Sequence, residues 1–159
     1  CSSDLLSTGI HSLTAVATDA AGNTSSSSSA LSITIDTATV APTNLDLVVT
    51  SDSAGRSTSD NITNDNTPTI TGTAEAGSSV TLYATLNGTT TAVGTGTTSG
   101  TIASGAPPTG ATGTWSITTS ALADGVNSIK AVAIDGAGNR SSDSTALLLT
   151  IDTIAPRQP

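Results

Sequence analysis

The feature that most constrains this 159-residue chain is a repeat inside it. Gly9–Asp36 reads GIHSLTAVATDAAGNTSSSSSALSITID, and Gly125–Asp152 reads GVNSIKAVAIDGAGNRSSDSTALLLTID. Aligned without a gap, 17 of 28 positions are identical, at an offset of 116. The match continues through Asp36-Thr37 and Asp152-Thr153. After a two-residue adjustment it reaches Val40-Ala41-Pro42 and Ile154-Ala155-Pro156. Such a period is too long for a solenoid turn and suits a self-contained domain strung in tandem. Residues 1–39 are then the last strands of a preceding repeat with its linker. Residues 40–153 are a complete repeat, and 154–159 begin the next linker. Pro42 stiffens the short connection that starts at Asp36.

Period-two runs fill the complete repeat. Leu45, Leu47 and Val49 alternate with Asp46, Val48 and Thr50, and Val80, Leu82 and Ala84 with Thr81, Tyr83 and Thr85. Trp115 shares a face with Ile117, Ile129 with Ala131 and Ala133, and Leu147 with Leu149 and Ile151. Thr67–Gly72 reads the same way. Turn signals at Ala76-Gly77, Asn87-Gly88, Asp124-Gly125 and Gly138-Asn139 separate the runs. Thr89–Gly113, with Pro107-Pro108, is expected to be an edge strand and a variable loop. No segment has helical periodicity. About seven short strands at this spacing predict an all-β, immunoglobulin-like antiparallel sandwich.

The core of such a sandwich must come from Val, Ile, Leu and Ala, because the chain has one Trp, one Tyr and no Phe or Met. Each larger aliphatic side chain contributes about 1.5–3 kcal/mol when buried, so a thin core of this kind gains from metals, neighbours or disulfides. A disulfide within the fold is excluded by the single cysteine, Cys1. That residue reads as a product of truncation or processing, ahead of a lipid anchor or an intermolecular thiol. No stretch has the length of a membrane span, and a leader for export would lie outside these residues. The net charge of −8 argues against nucleic acid as a partner.

Three groups of residues resemble a known family. The first is Ser51-Asp52-Ser53-Ala54-Gly55, Ser59-Asp60-Asn61-Ile62-Thr63 and Thr67-Pro68-Thr69-Ile70-Thr71-Gly72. The second is Trp115-Ser116-Ile117 before Leu122-Ala123-Asp124-Gly125. The third is Ala133-Ile134-Asp135-Gly136-Ala137-Gly138-Asn139, followed by Ile151-Asp152-Thr153 and Ala155-Pro156. Together they resemble the bacterial Ig-like tandem repeats of large secreted, RTX-type surface adhesins. Ala54 lengthens the usual turn, and the 98–112 stretch is longer than typical. The resemblance implies a rod of tandem domains outside the cell, with Ca²⁺ near the domain junctions. It also implies that ligand recognition belongs to other domains.

The acids, eleven Asp and one Glu, fall into two poles once they are placed on such a sandwich. Asp36, Glu75, Asp135 and Asn139 lie at the N-terminal end, in or near the linker, the second-to-third-strand loop and the last hairpin loop. Asp52, Asp60, Asp65 and Asp152 lie at the C-terminal end, around the first loop and the last strand. Carboxylates and loop carbonyls are the oxygen donors that Ca²⁺ takes, and converging carboxylates repel without a cation. The competing reading makes Asp60, Asp65 and Asp135 turn formers. Asp46 is a weaker candidate, Asp19 is the counterpart of Asp135, Asp124 reads as a turn former, and Asp4 and Asp143 as solvated.

Catalytic constellations are missing. His11 is the one histidine, and its repeat counterpart is Asn127, which suggests a surface position. The serines lack a base, and there is no nucleophile elbow, Cys/His cluster or phosphate loop. Trp115 reads as core and Tyr83 as outward-facing, a poor platform for sugar by itself. The expected function is a non-enzymatic spacer of an extracellular bacterial surface adhesin, with Ca²⁺ as cofactor and neighbouring Ig-like repeats or like subunits as partners. A self-assembling fibre subunit is the alternative, in which the N-terminal strands complete another chain's sandwich. A carbohydrate-binding module ranks last.

Overall fold

The computed structural model describes residues 5–52, 57, 59–100 and 111–157. Cys1, Asp4, the Ala54-Gly55 turn and Pro107-Pro108 lie outside the described residues. In chain order the strands are β1 (Gly9–Leu13), β2 (Leu31–Ile35), β3 (Thr43–Leu47), β4 (Ile62–Thr63), β5 (Thr69–Glu75), β6 (Ser79–Leu86), β7 (Thr89–Thr97), β8 (Thr112–Thr118), β9 (Gly125–Ile134) and β10 (Leu147–Ile151). β3-β5-β8 form one sheet, β4-β10-β9-β6-β7 a second, and β1-β2 a separate hairpin. The two larger sheets are the layers of an immunoglobulin-like sandwich.

Alternation decides which residues face the core. Along β8, Gly113, Trp115 and Ile117 are buried while Thr112, Thr114, Ser116 and Thr118 are exposed. Ile70, Val80, Leu82, Ile129 and Leu149 complete the centre, each with no exposed surface. Gly72 pairs with Trp115 across β5 and β8, and a Cβ on Gly72 would stand 2.3 Å from the indole Cζ2. Asn87 (φ 51°) and Gly88 (φ 80°) supply the two left-handed residues of the tight β6–β7 turn. β7 is the expected edge strand. Its register shifts opposite Leu82-Tyr83, where Val93 is the extra residue and turns into the core.

Three local expectations are corrected. Val49 lies past the end of β3 and is 63% exposed. The first loop contains β4, which pairs in parallel with β10 and adds an eighth strand to the sandwich. Glu75 is the last residue of β5 and not part of the loop after it.

The β1–β2 hairpin repeats the β9–β10 hairpin residue for residue. Gly9 pairs with Ile35 as Gly125 pairs with Ile151, and Leu13 with Leu31 as Ile129 with Leu147. The outlying bridge Thr18–Thr24 matches Ile134–Arg140. Serines close both long loops. Ser141 and Ser144 accept at Oγ from the N–H groups of Ala133 and Ala131, at 2.9 Å each. Ser25 and Ser28 do the same for Ala17 and Ala15, at 3.0 Å.

His11 also finds its role in this comparison. Its Nε2 donates to the carbonyl of Ser7 at 2.7 Å, as Asn127 Nδ2 donates to the carbonyl of Ala123 at 3.0 Å. Asn127 is 2% exposed and His11 half-buried, so the position acts as a structural clamp in both hairpins. The hairpins differ in cover. Ile129 and Val132 are buried, while their counterparts Leu13 and Val16 are 41% and 51% exposed.

Candidate metal centre

Asp135 follows the end of β9 and starts a tight turn. The N–H groups of Ala137 and Asn139 donate to its Oδ1 at 2.9 and 2.8 Å, and Asn139 Nδ2 donates to Oδ2 at 2.8 Å. Gly138 closes the turn at φ 92°, a conformation glycine adopts without strain. The same turn recurs at Asp19, whose carboxylate accepts from Ala21, Asn23 N–H and Asn23 Nδ2. It is therefore a property of the repeated sequence and forms with or without the rest of the sandwich.

Glu75 brings a second carboxylate from the end of β5 and is 4% exposed. Its Oε2 accepts from the hydroxyl of Thr39, in the linker, at 2.9 Å. Its Oε1 is buried without a hydrogen-bond partner. Asp36 brings the third carboxylate from the residue after β2. Its own carbonyl accepts from Asn139 Nδ2 at 3.2 Å, and its Oδ1 caps the N–H of Ala38 at 3.3 Å. One oxygen from each of Asp36, Glu75 and Asp135 lies within 4.8 Å of the others, the one such group of three among the described residues.

The electrostatics follow from this convergence. Burial raises the pKa of Glu75, and the nearby charges of Asp135 and Asp36 raise it further, against the Thr39 hydrogen bond. At Asp135 burial pushes the carboxyl up. The hydrogen bonds from Asn139, Ala137 and Gly138 outweigh it and hold the group below its ordinary value. The same environment thus disfavours charge on one acid and supports it on the other. The donor set is all hard oxygen, as Ca²⁺ prefers, and Glu75 Oε1 is buried with no hydrogen bond to satisfy it.

The other four candidates do not come together in this way. Asp60 caps the N–H of Ile62 at 3.2 Å, and Asp152 that of Ile154 at 3.1 Å; both are exposed. Asp65 accepts at Oδ1 from the N–H and hydroxyl of Thr67, and at Oδ2 from Ser51 Oγ at 3.2 Å. These are local turn geometries. Asp152 does approach the first loop, because its N–H bonds the carbonyl of Thr63 at 2.9 Å. Asp52 differs in being 2% exposed with Oδ1 unpartnered. Asp46 is exposed on β3, Asp124 binds the hydroxyl and N–H of Thr153, and Asp143 pairs with Lys130.

Sequence reasoning missed Thr39 and the loop serines. The serines carried a usable signal, since Ser25 and Ser28 are identical to Ser141 and Ser144 at the repeat offset. Thr39 carried none, as it lies where the two linkers fall out of register. No helix among the described residues is long and apolar enough to cross a membrane. No curated protein matches the chain. A family model described as a bacterial Ig-like domain matches residues 39–153.

Proposed function

The chain belongs to the bacterial Ig-like domain family, and from that premise we propose that it is a non-enzymatic spacer segment of an extracellular bacterial surface protein. In this reading Ca²⁺ stiffens the junction between consecutive Ig-like repeats. The observation that carries it is the meeting of Asp36, from one side of the linker, with Glu75 and Asp135, from the other. A cation held by these three would neutralise their repulsion and tie the linker to the sandwich. Asn139 orients the Asp135 carboxylate and holds the Asp36 main-chain carbonyl, and Thr39 adds a contact from the linker itself.

Thermal unfolding of the whole chain with Ca²⁺ and with chelator tests this reading. Ca²⁺ should raise the melting temperature, and Glu75→Gln should abolish most of that rise. An equal melting temperature in both buffers would sink the metal proposal while leaving the fold untouched.

A second reading is supported by the apolar face of β1–β2. Leu13 and Leu31, paired across the two strands, are exposed there, at positions whose counterparts Ile129 and Leu147 the sandwich covers or half-covers. In this reading the hairpin completes the sandwich of another subunit and the chain assembles into fibres. Concentration-dependent polymers in sedimentation velocity would support it, and a strict monomer would exclude it.

A further inference from the structure

The aligned hairpins differ in charge at three places, treating His11 as neutral. Thr14, Thr24 and Ser27 in the first correspond to Lys130, Arg140 and Asp143 in the second. All three of those charges line one notch of about 280 Å³, together with the chain's one tyrosine, Tyr83, and with Thr85 and Thr90. Charges placed merely for solubility would scatter over the hairpin surface. Here they converge on the outer face of the larger sheet, where Lys130 pairs with Tyr83 across β9 and β6.

We propose that this notch binds the carboxylate of an acidic saccharide. The chain carries −8 overall with only four Lys and Arg residues, yet two of the four stand here. Lys130 is already held, with Nζ 3.3 Å from Asp143 Oδ2. Arg140 is exposed, and its side chain makes no hydrogen bond or ion pair with any described residue, so its planar fork of N–H donors is free for a carboxylate. Tyr83, half-buried, offers a ring on which the C–H face of a sugar can lie. The hydroxyls of Thr85 and Thr90, 2.7 Å apart, form a polar rim for sugar hydroxyls.

The aromatic ring and the threonine hydroxyls beside the cations favour a saccharide over an acidic polypeptide. Ligand pockets run from about 300 Å³ upward, so this notch takes one ring-sized group. A larger depression of about 630 Å³ over the three-stranded sheet offers hydroxyls and the Asp46 carboxylate but no cation. It has no complement for an acid.

The test uses the whole chain, ¹⁵N-labelled, without added calcium, titrated with a galacturonate trisaccharide and with the uncharged galactose trisaccharide. The acidic sugar should shift the amides of Tyr83, Thr85, Thr90, Lys130 and Arg140, and the neutral sugar should leave them in place. Arg140→Thr and Lys130→Thr import the residues found at the matching positions of the first hairpin segment, Thr24 and Thr14, so the fold should be kept. Each should weaken binding about tenfold, the effect of losing one charge-assisted contact. Equal shifts with the neutral sugar, wild-type binding by the double variant, or no shifts at millimolar acidic sugar would each overturn the proposal. Equal binding of a glutamate-rich peptide would reassign the notch to an acidic polypeptide.

Discussion

The side-chain amide of Asn139 donates to the main-chain carbonyl of Asp36 at 3.2 Å, across 103 residues of sequence, while its other contact holds Asp135 at 2.8 Å. One amide thus fastens the linker to the sandwich and shapes the Asp135 turn. Asn139→Ala removes both bonds and should lower stability by about 1–3 kcal/mol. Chemical denaturation should record that loss, and amide relaxation across 36–42 should show a looser linker. An unchanged linker would mean that Thr39 and Glu75 hold it alone.

The carboxylate cluster should give the calcium-free protein an unusual response to acid. The folded-state pKa of Glu75 is raised above its ordinary value. The stability linked to its proton is present below the unfolded pKa and is lost as pH rises through the folded one. Asp135 is lowered, so its contribution is present above the unfolded pKa and lost as pH falls through the folded value. In chelator, mild acidification from neutral pH should therefore raise the melting temperature before stronger acid reduces it. Glu75→Gln should remove the rise and make the calcium-free protein more stable at neutral pH. Melting curves at stepped pH would show both effects, and a Gln variant less stable than wild type at neutral pH would contradict the account.

Gly72 and Trp115 share a space that a methyl group cannot enter. A Cβ at Gly72 would also lie 2.7 Å from the indole Cε2 and 3.0 Å from the carbonyl of Thr43. Gly72→Ala should force the indole or β3 to shift and reduce stability by about 1–3 kcal/mol, as overpacking does. The single tryptophan makes the shift visible as a change in emission maximum.

His11 clamps Ser7 as Asn127 clamps Ala123. His11→Asn should therefore be nearly neutral. His11→Ala leaves the carbonyl of Ser7 without that donor and should weaken the hairpin by about 0.5–1.5 kcal/mol. Amide exchange across Gly9–Leu13 would separate the two variants.

Much of this architecture is legible in the sequence, because its determinants are local. Alternation along β6, β8 and β9 follows from period two, and the β6–β7 turn from Asn87-Gly88. β4 could not be read this way. Two residues have no period, and their strand exists only because β10 runs alongside. The grouping of Asp36, Glu75 and Asp135 followed from placing loop ends on a sandwich. Asp60, Asp65 and Asp152 illustrate the limit of that method. Asp135 caps its own turn as they do, and only its approach to Asp36 and Glu75 separates it from them. The orphaned oxygens of Glu75 and Asp52 are likewise invisible in sequence, since burial is set by strands far away along the chain.

The cluster takes one carboxylate from before the linker and two from after it. This division bears on how the gene can change. In the tandem array proposed above, deletion or duplication of one whole offset would rejoin an Asp36-type end to a Glu75-type beginning and rebuild the same joint. Unequal recombination in phase can therefore alter the length of such a protein without inventing a new junction, whereas a break out of phase separates the acids and leaves an unmatched end.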